Sequence, residues 1–250
     1  MVERVGLELA SVFLEVQTGV YESGDMAIAE VLAIRKELNY LLEKRGAQLV
    51  FVPVSTREFE FVPSSEEAGS RSAELVARWG KSAAGRENLI ASSIASLQIN
   101  DSRPFKNAKT IDELLEIGKK VHNHCRLVLP LVYEQLVSDY KDFRGKTRLE
   151  NYETIVMRVE AEKFLRHGFQ KKDAVIPPYF NNVEQMRRWM CAYSDCDNFE
   201  NTNPKDEHAV TCKIKRPQDA PWIVEVRYPD AVDTESAMLR AVTMVENILK

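Results

Sequence analysis

The chain has 250 residues, room for one large domain or two small ones with a sizeable buried core. Hydrophobic residues make up 44% and charged residues 29%, an ordinary globular balance, and the formal net charge is -4. That charge argues against nucleic acid or an anionic membrane surface as the main partner, and no run of about 18 apolar residues marks a membrane span.

The start, "MVERVGLELA", lacks the basic lead and long apolar run of a signal peptide. Cysteines stand at 125, 191, 196 and 212, and without a secretory signal they read as free thiols. The expectation is a soluble cytoplasmic protein.

In chain order, residues 5 to 17 read as a first strand with Glu8 within it. A helix follows over 24 to 45, where Ile28, Val31, Leu32, Leu38, Leu41 and Leu42 recur at helical spacing and Gly46 supplies a stop. Residues 47 to 54 and 56 to 62 read as two β runs, the second alternating from Arg57 to Phe61 and carrying Glu58 and Glu60 on one face. Serines at 64 and 65 can cap a second helix that Gly80 closes. "LIASSIASLQIND", from 89, reads as a third β region.

From Thr110 runs the longest helical pattern, with Thr110 and Glu113 at capping-box spacing and Pro130 predicted to break it. A polar loop over 141 to 151 includes the basic cluster "KDFRGKTR". Helices are predicted over 152 to 166 and 181 to 193, and two strands, "HAVTCKIKR" and "PWIVEVRYP", can pair. Asp233 or Thr234 caps a last helix with an apolar stripe of Met238, Leu239, Val242, Val245 and Leu249. Strands in adjacent groups predict an α+β fold with a largely antiparallel sheet in one domain spanning 1–250.

No Gly-rich phosphate loop occurs in the chain. Phosphate, if handled, must therefore be held through cations and metal. Glu8, Glu58, Glu60 and Glu225 each sit within an apolar β run, and Arg227 follows Glu225 on the same face. Any one such glutamate alone reads first as a solvated sheet residue. Several together point to a site, because a buried carboxylate is costly without a partner or metal.

Gly6-Leu7-Glu8-Leu9, "ASLQIN" (95 to 100) and "VEVRYPDA" (224 to 231), with "IKRP" ahead of the last, occur in the order of three motifs of the glutamate–cysteine ligase-like carboxylate–amine ligases. The chain resembles that family over nearly its whole length. The resemblance implies a glutamine synthetase-like fold, a curved antiparallel sheet flanked by helices. It also implies ATP- and Mg²⁺-dependent joining of a small carboxylate, such as an amino acid, to an amine through an acyl phosphate. Glu8 and Glu225, with Glu58 or Glu60 as a third, would match metal-binding carboxylates. Arg227 would match the arginine that neutralises the transferring phosphoryl group, and Gln98 and Asn100 would lie at the nucleotide.

Two positions depart from the pattern. Ala10 stands where the family carries a second acid, and Asn100 where it carries a histidine. They leave an inactive homologue, serving as a binding or assembly component, as the alternative. A homo-oligomer is compatible with either reading.

Cys191, Cys196, His208 and Cys212 form C-x4-C-x11-H-x3-C, a rival set for structural zinc whose first gap is wider than usual. Cys125, beside His122 and His124, reads as a packing residue because near neighbours on a helix seldom activate one another. Tyr179 and Phe180, after Pro177-Pro178, could line a substrate mouth or form an ordered loop on the core.

Overall fold

A computed structural model of the chain describes residues 5–7, 14–57, 77, 81–92, 94–159, 161–194, 212–215 and 221–250. Residues 5 to 17, expected as one strand, contain two: β1 (Val5–Leu7) and β2 (Leu14–Val16), antiparallel with Val5 opposite Val16. Helix α1 (Gly24–Glu43) ends just before Gly46, whose φ of 67° lies in the left-handed region that glycine reaches without strain.

The strand expected over 47 to 54 is absent; among the described residues there, only Val54 makes a single bridge, to Ile94. A β-branched, apolar run marks a segment able to lie in a sheet, but a strand also needs a ladder partner. The second run and the helix expected over 64 to 80 lie almost wholly outside the described residues. The third β region also begins later than expected. Residues 83 to 92 form α2 (Ala83–Ser92), with Leu89 and Ala91 buried, and strand β3 is only Ile99–Asp101. Ser82 starts α2, its hydroxyl accepting the Gly85 N–H at 3.0 Å.

Helix α3 (Ile111–Val128) carries the expected capping box: the Glu113 N–H donates to Thr110 Oγ1 at 3.2 Å and the Thr110 N–H to Glu113 Oε2 at 3.1 Å. At Pro130 the helix gives way to a 3₁₀ turn (Leu129–Val132) and a single turn α4 (Tyr133–Leu136), as a residue without an N–H requires. The next helix starts at Arg148 rather than 152. A second capping box sets that start, the Thr147 N–H reaching Glu150 Oε2 at 2.7 Å and the Glu150 N–H reaching Thr147 Oγ1 at 3.3 Å. It forms α5 (Arg148–Val159), with α6 (Ala161–Arg166) following. Helix α7 (Val183–Ser194), strands β4 (Lys213–Lys215) and β5 (Ile223–Val226), and helix α8 (Glu235–Ile248) follow, and short 3₁₀ turns stand at Arg103–Phe105 and Lys171–Ala174.

The protein mixes helices with a small three-stranded antiparallel sheet of order β3-β5-β4. Close contacts group the chain into two compact units. The first comprises Met1–Ala95, Asp139–Asn151 and Ala231–Thr243, and buries Ile28, Ile34, Val54, Leu89 and Met238. In it Asp142 is buried and accepts five hydrogen bonds, among them Arg144 Nη2 at 2.7 Å and Asn151 Nδ2 at 2.9 Å. The basic cluster of that loop is therefore tied partly to its own acid.

The second unit comprises Ser96–Ser138, Tyr152–Asp230 and Met244–Lys250, and holds the sheet. One sheet face carries Ile214, Val224 and Val226, all buried, against α3. Glycine at 118 permits that approach, since a Cβ there would stand 2.7 Å from Ile214 Cδ1. Trp189, Phe164 and Phe180 pack edge to face or tilted at centroid distances of 5.5 and 6.2 Å from the indole. The indole N–H donates to Asp173 O at 2.8 Å. Among the described residues, no helix is long and apolar enough to cross a membrane.

Candidate functional site

The other face of the sheet is polar, and strand register explains why. Glu225 lies on central β5, opposite Asn100 of β3 on one side and Lys213 of β4 on the other. Directly opposed residues share a face, so Asn100, Glu225 and Lys213 form one row across three strands. Alternation along β4 and β5 adds Lys215 and Arg227 to the same face. Three residues lie between Val226 and Asp230, but only two between their partners Ile99 and Ser96. The strand bearing Arg227 thus carries one extra residue, a bulge that re-aims side chains at the end of the ladder.

The Glu225 carboxylate is wholly buried and ion-paired through both oxygens, Oε2 with Lys215 Nζ and Oε1 with Arg227 Nε. Lys213 is almost as buried, with 3% exposure. Burial by itself would push the Glu225 carboxyl up. Arg227, Lys215 and Lys213 outweigh it and hold the group below its ordinary value. Burial likewise opposes the charge on Arg227, but Glu225 and a hydrogen bond with the Tyr152 side chain raise its pKa above the ordinary arginine value. One buried anion therefore anchors a patch of three cations. Lys215 and Arg227 keep 24% and 22% of their side chains exposed, so an incoming anion meets the cations, whereas Glu225 itself is out of reach. Asn100 and Gln98 are both exposed beside them.

Asp230, last acid of the "VEVRYPDA" stretch, does not join this patch. It is buried and accepts from the Ser138 N–H at 2.8 Å and the Ser138 hydroxyl at 2.7 Å, while its own N–H donates to Leu136 O at 2.9 Å. Its work is to lock the strand to the end of α4.

Glu8, Glu58 and Glu60, expected as metal ligands, lie outside the described residues. Among the described residues, no group of three or more His, Cys, Asp or Glu side chains could hold a metal ion. For the candidate zinc set, Cys196 and His208 also lie outside. Cys191 and Cys212 are buried, and Cys212 Sγ stands 3.4 Å from Nδ1 of His122, a residue of α3 that the zinc reading did not include. The His122 ring meets Phe180 and Trp189 edge-on at 5.7 and 5.3 Å, and burial lowers its pKa to about 3, so it is neutral at pH 7.

Of the residues singled out in sequence, Glu225, Arg227 and Asn100 come together on this face with Gln98 exposed beside them, whereas Lys213, Lys215 and Tyr152 were not singled out. The lysines were legible in principle: "CKIKR" places them two apart, and pairing that strand with "WIVEVR" puts both on the face of Glu225. No sequence signal marked Tyr152. In comparisons with known proteins, no family model, curated protein or solved structure matches the chain.

Proposed function

We propose that the polar face of the sheet is the phosphate-handling site of an ATP-dependent ligase joining a small carboxylate to an amine. The observation that carries this reading is the pairing of β3 with β5. It brings two of the stretches that resemble the carboxylate–amine ligases, far apart in sequence, onto neighbouring strands with Asn100 opposite Glu225. On this reading the sheet is part of a curved, glutamine synthetase-like sheet.

The chemistry asked of the site is modest. A carboxylate oxygen of the substrate takes the γ-phosphoryl group of ATP and ADP leaves. The amine then attacks the acyl carbon, and phosphate departs as the amide forms. Arg227 and Lys215 oppose the charge on the transferring phosphoryl group, with the guanidinium a fixed planar fork. Glu225 holds both cations in place, so little reorganisation is needed as charge develops. Asn100 and Gln98 offer amide groups to the nucleotide or substrate.

Magnesium fits the described residues poorly. It takes oxygen ligands, and the single carboxylate here already has both oxygens engaged by cations. The cations suit the phosphates; the described carboxylates do not make a metal cage, and no step is assigned to the ion. That saturation favours a second reading, a non-catalytic homologue that binds a phosphate-bearing ligand on the same face.

The test is calorimetric titration of the protein with a non-hydrolysable ATP analogue, with and without Mg²⁺, beside Asn100→Ala and Lys215→Gln proteins. The proposal expects saturable binding, weakened about tenfold or more in Lys215→Gln, as loss of one charge-assisted contact implies. Absence of binding by the unaltered protein, or equal binding by Lys215→Gln, overturns it. ADP release from ATP with carboxylate and amine present separates the ligase from the binder.

A further inference from the structure

We propose that the cleft between helix α3 and residues 177–181 is a second ligand site, taking a small molecule that joins a flat ring to a phosphate monoester. The cleft is an open groove of about 450 Å³, a volume within the range of small-molecule sites. It lies in the second unit, where α3 turns Gly118 toward Ile214 on the core face of the sheet. The Glu225 patch occupies the opposite face of that sheet, so the cleft is separate from the ligase reading and does not depend on it.

Its chemistry is divided along its length. Lys119 and Lys120 line it, with His124 one turn further along α3. Lys119 is partly engaged by Glu116 at 2.8 Å; Lys120 is exposed and makes no ion pair among the described residues. Leu127 and Tyr179 supply an apolar wall, and both are large side chains left more than half exposed, at 54% and 52%. Two ammonium groups and an imidazole donor suit a doubly charged phosphate. An exposed phenol ring beside a leucine suits a planar apolar body.

The wall is also held in place before any ligand arrives. Buried Asn123 clamps Phe180 through both backbone groups, donating to its carbonyl at 2.9 Å and accepting its N–H at 2.8 Å. Arg126 Nε donates to the Pro177 carbonyl at 2.6 Å, and Pro177-Pro178 restricts the backbone ahead of Tyr179. A strip fixed on both sides of Tyr179 loses little conformational freedom on binding, which lowers the entropic penalty of association.

The experiment is calorimetric titration of the full chain with 1-naphthyl phosphate, 1-naphthol and inorganic phosphate. The expected order is naphthyl phosphate at least tenfold tighter than either fragment. Lys120→Ala and Tyr179→Ala, both at exposed positions where folding is not at stake, each weaken it about three- to tenfold. Lys36→Ala, at an exposed position of α1 outside both sites, leaves it unchanged. Failure of naphthyl phosphate to bind at millimolar concentration, binding unchanged in the Lys120→Ala, Tyr179→Ala double variant, or equal affinity for naphthol each overturns the proposal. Equal weakening in Lys36→Ala does the same, because the attraction is then unspecific charge and not the cleft.

Discussion

Replacing Glu225 with glutamine keeps the shape of the side chain and deletes its charge. In the native protein that carboxylate is fully buried between Lys215 and Arg227, with Lys213 directly opposite on the next strand. The variant leaves three cations on one patch with no anion among them. Removing one partner of a buried ion pair costs about 3–5 kcal/mol. Lys215 and Arg227 are 24% and 22% exposed and regain some hydration, so the lower end, about 3 kcal/mol, is expected. For a chain of this length that corresponds to a fall of about 6–12 °C in Tm. Urea denaturation followed by circular dichroism measures it. Adding Lys215→Gln to Glu225→Gln removes one of the repelling charges and should recover part of the loss. A Glu225→Gln protein within about 0.5 kcal/mol of the native one would refute the reasoning, since that is the range of an ordinary surface substitution.

Thr110→Ala removes the capping hydroxyl of α3 and should destabilise by about 1 kcal/mol in the same assay, with Thr110→Ser largely neutral. Acidification should weaken the fold through His122. Its folded pKa of about 3 lies below the unfolded value, so the unfolded chain binds more protons and stability falls as pH drops from about 6.5 toward 3, by up to about 1.4 kcal/mol per unit. His122→Leu should flatten that slope between pH 6.5 and 4; an unchanged slope assigns it elsewhere. The Glu225 contribution, from a carboxyl held below its ordinary value, is present above that ordinary value and lost only as pH falls through the lower folded one.

What the sequence made legible depended on whether the signal was local. The α3 start at Thr110, its break at Pro130, the α1 stop at Gly46 and the stripe of α8 each rest on residues within a turn or two of one another, and each appears in the structure. The strand expected over 47 to 54 did not, because an apolar run carries no information about a partner. Helix α2 was hidden because small and apolar residues near Leu89 serve a short helix as well as a strand.

The candidate site divides the same way. Glu225 with Arg227 is an i, i+2 pair visible in one strand. Its real character, a carboxylate saturated by cations, depends on Lys213 and Lys215 arriving from β4 in one particular register. The same register makes Glu225 a buried anchor for cations. It also makes removal of Glu225 a test of stability before it is a test of activity.

The most direct test of the proposed chemistry follows an oxygen atom. Amino acids carrying ¹⁸O in the carboxylate, incubated with the protein, Mg-ATP and an amine, should release phosphate containing one ¹⁸O. Acyl-phosphate formation bonds that oxygen to phosphorus, and amide formation leaves it there. Phosphorus NMR reads the isotope shift. Labelled phosphate, formed only when carboxylate and amine are both present and diminished in Lys215→Gln, is the predicted result. ATP left intact across the panel, or phosphate released without label, would contradict the account.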